Sequence, residues 1–199
     1  MGTVAIVDYG VGNLKSVANA LSYLGCSSCI TADLAELERA DAIILPGVGA
    51  FPDAADRLRS GGLDQHVLAQ GQKKPVLGIC LGMQLLLEQG REVRPCPGLG
   101  VIRGTVDRIP TQSKLPHIGW NSLRFFHHSP LFRGLDEGAY VYFVHSFSAQ
   151  DTDPAQVIAV TDYGPAVTAA VSSGNFYGTQ FHPEKSGAVG LTILRNFAG

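Results

Sequence analysis

Pro75-Val-Leu-Gly-Ile-Cys-Leu-Gly-Met-Gln84 reads as an apolar strand that passes through a Gly-x-Cys-x-Gly turn straight into a helix. That shape is a nucleophile elbow, usually met with serine and here carrying cysteine. A residue on so sharp a turn is crowded from both sides, and Gly78 and Gly82 leave room where a Cβ would clash. Backbone strain of this kind costs roughly 1–3 kcal/mol, so it persists where function needs it. The helix that follows turns its N–H groups and positive dipole end toward Cys80, surroundings that favour thiolate over thiol. On the elbow alone, a small buried cysteine at a strand end stays open as the plain alternative.

Outward from the elbow, the first half alternates strand and helix. Thr3–Asp8, Ser28–Thr31 and Asp41–Leu45 are short apolar strands; helical patterns cover Leu14–Leu24 and segments of Phe51–Gln72. Such alternation predicts a parallel sheet covered on both faces, with the elbow near its centre and functional loops at the strand C-termini. The second half predicts strands over Gly100–Ile109, His117–Phe126, Ala139–His145, Gln156–Asp162 and Asn175–Phe181, then a helix over Gly187–Phe197. The expected fold is α/β: a single domain, a mostly parallel central sheet flanked by helices, and an added antiparallel portion.

A cysteine nucleophile needs a base, and the base needs an orienting group. Gly178-Thr-Gln-Phe-His-Pro-Glu184 places His182 at the end of an apolar strand with Glu184 two residues on, the same face of an extended segment. Pro183 favours that extension in its neighbour. His145, at another strand end, has no nearby acid and reads as structural or substrate-adjacent. An oxyanion would be met by the N–H of Leu81, directly after the nucleophile, and by backbone of the Pro46-Gly-Val-Gly49 loop, Val48 and Gly49.

The rest of the chain excludes several classes. Its 199 residues suit one domain, 45% of them are hydrophobic and only 16% charged, which leaves room for an extensive partner interface. A net charge of -2 gives no footprint for nucleic acid or an anionic membrane. No apolar run reaches the ~18 residues of a membrane span, and the N-terminus opens as a strand without a secretory leader, so a cytoplasmic location is expected. Cys26 and Cys29 form a C-x-x-C, but they follow Gly25, which reads as a helix C-cap, and enter a strand, the wrong place for a redox pair. Gly10-Val-Gly12 lacks the third glycine of a dinucleotide fingerprint, because Lys15 stands there. No cofactor and no metal site are predicted.

Gly78-Ile-Cys-Leu-Gly-Met-Gln84 together with Gln180-Phe-His-Pro-Glu184 resembles the class I (triad) glutamine amidotransferases, over residues 1–199 as one domain. Asp8–Asn13, Pro46–Phe51, Pro116–Asn121, Tyr142–Ser146 and Glu184–Ser186 look like one branch of that family, the glutaminase subunits of imidazole glycerol phosphate synthase. The resemblance implies that Cys80, His182 and Glu184 hydrolyse glutamine through a thioester. It also implies glutamine contacts from Gln84 and Glu92 and from backbone near Ser146 and Phe147. Family members commonly have tyrosine where Phe147 stands, a change that a backbone contact would survive. The implied partner is a cyclase subunit, a (β/α)8 barrel held as a heterodimer, which would receive ammonia to make imidazole glycerol phosphate and aminoimidazole carboxamide ribotide in histidine biosynthesis. Asn13, His117, Gly119 and Trp120 are the interface candidates. The Val48 side chain would hold the oxyanion loop in an unproductive orientation until the partner binds its ligand. The rival readings are the glutaminase subunit of another synthase, such as that of pyridoxal phosphate, a partner-independent cysteine hydrolase, and an inactive interaction subunit.

Overall fold

The computed structural model describes residues 2–199. In chain order the first half runs β1 (Thr3–Val7), α1 (Leu14–Tyr23), β2 (Ser27–Thr31), α2 (Leu34–Arg39), β3 (Ala42–Gly47), α3 (Phe51–Ser60), α4 (Leu63–Gly71), β4 (Val76–Cys80) and α5 (Leu81–Leu85). Strands dominate the second half: β5 (Leu87–Gly90), β6 (Cys96–Pro97), β7 (Ile102–Arg108), β8 (His117–Ser122), β9 (Arg124–Phe125), β10 (Tyr140–His145), β11 (Phe147–Gln150), β12 (Val157–Asp162), β13 (Ala166–Ser173) and β14 (Phe176–Thr179), closed by α6 (Gly187–Ala198).

One eight-stranded sheet, in the order β2-β1-β3-β4-β14-β13-β12-β9, organises the chain. The strands β2, β1, β3, β4 and β14 are parallel, and β13, β12 and β9 continue the same sheet antiparallel. The antiparallel portion expected from the second half is therefore divided: β13, β12 and β9 extend the main sheet, and the other strands stand apart from it. Beside it stand a two-stranded ribbon, β8 with β10, and a four-stranded sheet, β11-β7-β5-β6. The elbow strand β4 lies fourth of eight, as the crossover rule requires.

Strand alternation divides the core into two. Ala5 and Val7 of β1, with Ile43 and Leu45 of β3, face Leu37, Phe51, Leu58 and Val67 of α2, α3 and α4. Val4 and Ile6, with Ile44, Leu77 and Ile79, face Val17 and Leu21 of α1 and Ile193, Leu194 and Phe197 of α6. Both faces are thus covered, which explains why these strands read as continuous apolar runs.

The sequence expectation lacks α2, β5, β6 and β11, and other elements depart from it as well. The helical stretch after Phe51 breaks at Gly61-Gly62, where Gly62 takes φ +67 and starts a second helix. The helix after the elbow lasts only five residues before the chain enters β5, so its dipole is that of little more than one turn. The expected strand His117–Phe126 splits at the buried Leu123, and its two parts join different sheets. Strand β13 was not foreseen at all: Ala-Val-Thr-Ala-Ala-Val-Ser-Ser carries small residues of weak strand preference and gains its place by pairing on both sides.

Candidate active site

Sheet register builds the site. Gly47 of β3 pairs with Cys80 of β4, and Thr179 of β14 pairs with Ile79. The three chains therefore leave the sheet at one level: Cys80 in the centre, the Val48-Gly49 loop on one side, Gln180 and His182 on the other. Cys80 has φ 54 and ψ -108, a left-handed conformation outside the ordinary range of a side-chain-bearing residue. Glycines on either side make the turn possible. A Cβ on Gly82 would lie 1.8 Å from the Leu45 carbonyl oxygen, and one on Gly78 would lie 2.5 Å from that of Gly82. The α5 turn sits directly on the sheet because neither atom is there.

Beside Cys80, the His182 Nδ1 lies 2.8 Å from Glu184 Oε1, with the two side chains 2% and 1% exposed. The carboxylate can only accept, so this nitrogen carries a hydrogen and Nε2 is left to face the chemistry. Nε2 is buried without a hydrogen-bond partner of ordinary geometry, although Cys80 is near enough to act on the ring. Burial disfavours the charged imidazolium, but the cysteine and the glutamate more than offset it, and the His182 pKa is pushed up to about 9. The positive form is therefore favoured at neutral pH.

A cleft of about 370 Å³ opens over Cys80. Val48 and Gly49 line one wall with Leu81, and no hydrogen bond within the described residues engages the N–H of Val48 or Gly49. Gln84, Glu92, Ser146, Phe147 and His182 complete the lining. Glu184 alone of the expected chemical residues does not line this cleft; it stands behind His182. Gln84 is 5% exposed and spends its amide N–H groups on the carbonyls of Phe147 and the Gln180 side chain, each at 3.0 Å. Its own carbonyl is what remains for a ligand. Glu92 Oε2 accepts from the Phe51 N–H at 2.8 Å and so caps α3, whose own N-cap residue offers no side-chain bond.

Pro116, Val144 and Lys185 also line the cleft without having been assigned by sequence, and two further unassigned residues act on the site from behind. Gln180, fully buried, donates from Nε2 to the Cys80 sulfur at 3.7 Å, joining Phe147, Gln84, Gln180 and Cys80 in one chain of contacts. Tyr9 donates its buried hydroxyl to the Pro46 carbonyl at 2.7 Å and so anchors the start of the Val48-Gly49 loop; burial, then the nearby Cys80, raise its pKa. Both stand inside stretches singled out by sequence, but only the sheet register brings them to the sulfur.

The interface candidates separate. Trp120 is 56% exposed, and Asn13 is half-buried at the start of α1. Gly119 takes φ +130, with open space where a Cβ would be. His117 corrects the expectation: it is 2% exposed, stacked between Phe143 and Tyr163, and offers no surface to a partner. Alternation along β8 turns His117 inward and leaves Ile118 and Trp120 outward. Of the C-x-x-C pair, Cys29 has its pKa raised, mainly by burial and then by Glu36, the reverse of a redox thiol.

The description "Glutamine amidotransferase class-I" belongs to the family model that matches residues 5–198. An imidazole glycerol phosphate synthase subunit HisH of Bacillus cereus is 48% identical over 199 residues, spanning 98% of this chain and 94% of the relative. One of the same name from Bacillus anthracis is 46% identical over 197 residues, with the same coverage. Among solved structures, one described as a glutamine amidotransferase superposes with TM-score 0.76 at 21% identity, covering 98% of this chain and 96% of its own. PurLQS from Thermotoga maritima superposes with TM-score 0.75 at 20% identity, covering 99% and 98%. At those identities the solved structures speak for the fold.

Proposed function

This chain belongs to the class-I glutamine amidotransferase family, and from that premise we propose that Cys80, His182 and Glu184 carry its hydrolysis of glutamine to glutamate and ammonia. The observation that bears most weight is the left-handed Cys80 beside a buried His182–Glu184 pair in one cleft. The Cys80 sulfur attacks the side-chain amide carbon to give a tetrahedral adduct, its proton passes by way of His182 Nε2 to the departing nitrogen, and the C–N bond breaks to release ammonia and leave the glutamyl thioester. Water then attacks the thioester carbon, giving up a proton to His182, and glutamate leaves as the thiol is restored. Glu184 holds the imidazole and stabilises its charge. Backbone N–H groups of Leu81 and of the Val48-Gly49 loop meet the developing oxyanion; losing one such donor costs about 2.7–4 kcal/mol of transition-state stabilisation. Gln84, Glu92 and the backbone at Ser146 and Phe147 hold the substrate.

The relatives' names support our reading of this chain as a subunit of imidazole glycerol phosphate synthase, which we place in histidine biosynthesis. The partner of our reading is the cyclase, a (β/α)8 barrel that forms a heterodimer and consumes the ammonia to make imidazole glycerol phosphate and aminoimidazole carboxamide ribotide. Sequestration serves a plain chemical end, because ammonia released to water is protonated and diluted. Val48, at the cleft, and Ile118 and Trp120 on β8 are exposed apolar residues that a partner would cover, with Asn13 and Gly119 the further contacts of this reading. Val48 keeps the oxyanion loop unproductive until the partner is loaded, so the chain alone is a weak glutaminase. The reading takes residues 1–199 as one amidotransferase domain working in the cytoplasm; no helix among the described residues is long and apolar enough to cross a membrane.

Glutamate release from glutamine, by wild type and Cys80→Ala, each with the cyclase and its nucleotide ligand, tests this. Release that needs the cyclase and falls to background in Cys80→Ala supports it. Absence of release from wild type, with cyclase binding demonstrated, sinks it.

A further inference from the structure

Beside Ser146 and Phe147 stand two histidines that the hydrolysis above does not use: His145, which itself lines the cleft, and the buried His117 behind it. His145 Nδ1 sits 2.8 Å from the Phe147 carbonyl, and its Nε2 sits 3.1 Å from Nδ1 of His117. On its far side, His117 Nε2 lies 3.3 Å from Asn121 Nδ2. Asn121 is itself fixed: Nδ2 donates to the Asp162 carbonyl at 2.9 Å, and Oδ1 accepts from the Ser122 N–H at 2.9 Å.

The two ends of this row dictate its polarity. A carbonyl oxygen can only accept, so His145 Nδ1 carries the hydrogen and its Nε2 is a bare acceptor. His117 Nδ1 must then donate to it, which leaves His117 Nε2 bare to accept from the Asn121 amide. Every hydrogen points from Asn121 through His117 and His145 to Phe147. The arrangement requires both rings neutral and both as the Nδ1–H tautomer, because a second proton on His145 would point at the His117 N–H at 3.1 Å and one on His117 would point at the Asn121 amide N–H at 3.3 Å. Their surroundings agree. Burial holds both below the usual histidine value, at about 4; for His145 the Phe147 bond opposes this and the nearby His117 and His182 add to it. Stacking of His117 against Phe143 at 4.7 Å and Tyr163 at 4.0 Å keeps its ring from turning.

The Phe147 carbonyl where the row ends also accepts from Gln84, and Ser146 and Phe147 both line the cleft. We propose that His117 and His145 are positioning residues, a one-way hydrogen-bond relay that fixes the Ser146–Phe147 strap in the shape that receives glutamine. The proposal rests on the glutaminase reading for its ligand, although not for its tautomers. It also gives His117 a place in the function other than direct contact with a partner.

Two measurements test it. In 15N-histidine-labelled wild type, long-range 1H–15N spectra at neutral pH should show both His117 and His145 protonated at Nδ1. Either ring found as the Nε2–H form overturns the relay. His117→Phe keeps the stacking surface and removes the donor. In the cyclase complex with its nucleotide ligand, its glutamine KM should rise by about tenfold while kcat stays within about threefold, the loss expected when one buried bond that shapes a binding wall is removed. A folded His117→Phe with unchanged KM overturns the positioning role, since a residue that only fills space would behave so. Should His117→Phe not fold, the wild-type tautomers still decide. Failure of the glutaminase reading would look different: wild type would release no glutamate, whatever the tautomers.

Discussion

The elbow corner and the β8–β10 ribbon hold their functional groups in place by opposite means. At the elbow, backbone does it: Cys80 is fixed by a left-handed turn clamped between β3 and α5, with two glycines removing the atoms that would prevent the fit. In the ribbon, side chains do it: His117 and His145 sit on ordinary extended strand and are fixed by stacking, by a hydrogen bond to each other across the two strands, and by bonds to Asn121 and to the Phe147 carbonyl. A backbone device is local, leaves its mark in a few consecutive residues and tolerates nothing. A side-chain device is dispersed over the chain and should weaken by degrees.

Gly82→Ala tests the first half of that contrast. The new methyl would lie 1.8 Å from the Leu45 carbonyl oxygen, a backbone atom, so no side chain can yield to admit it. We expect destabilisation of about 4 kcal/mol or more, beyond the ordinary range of point mutations, and failure to accumulate as folded protein. Urea unfolding within 1 kcal/mol of wild type would mean the elbow is not clamped as described.

Glu184→Gln is the next largest effect and falls on activity. The amide keeps the shape but withdraws the charge that helps to raise the His182 pKa to about 9. Glutamate release in the cyclase complex should fall roughly 10²–10³-fold in kcat, with the fold and the cyclase affinity unchanged. A loss under tenfold would make Glu184 a packing residue.

The same pair gives a pH signature in stability. Because the His182 pKa is raised on folding from its ordinary value of 6.5 to about 9, the folded state holds a proton that the unfolded chain releases. The stabilisation is complete below pH 6.5 and is lost as pH rises to about 9, at no more than about 1.4 kcal/mol per pH unit. Urea unfolding at several pH values should show wild type losing its advantage over Glu184→Gln across that window. Parallel curves for the two proteins would exclude the linkage.

What sequence could show follows the same division. The elbow and the His-Pro-Glu stretch were legible because each is a run of neighbours whose chemistry depends on adjacency: Gly78, Cys80 and Gly82; His182, Pro183 and Glu184. The alternating strands and helices were legible for the same reason. Gln180 and Tyr9 were not, because their partners are the Cys80 sulfur and the Pro46 carbonyl, and only the pairing of β4 with β3 and β14 joins them. His117 was assigned to the partner surface with Trp120, although residues three apart on a strand face opposite ways. The alternation was present in the sequence. Which face was inward depended on Tyr163 and Phe143, and those come from elsewhere in the chain.

The smallest effect expected is on the outer face of the ribbon, and there the contrast can be sharpened. Trp120 is 56% exposed and touches Tyr142 edge-on, with ring centroids 6.2 Å apart, so the chain gains little by keeping it. Trp120→Ala should therefore change unfolding free energy by no more than about 0.5 kcal/mol. If Ile118 and Trp120 form the apolar surface that the cyclase covers, the same substitution should weaken cyclase binding by about 10–30-fold, as a buried aromatic anchor does. Calorimetric titration with the cyclase separates the two quantities. A variant that loses stability but keeps its affinity would make Trp120 part of the ribbon's packing; one that loses affinity alone would place function on both sides of a single strand, with His117 shaping the cleft inward and Trp120 meeting the partner outward.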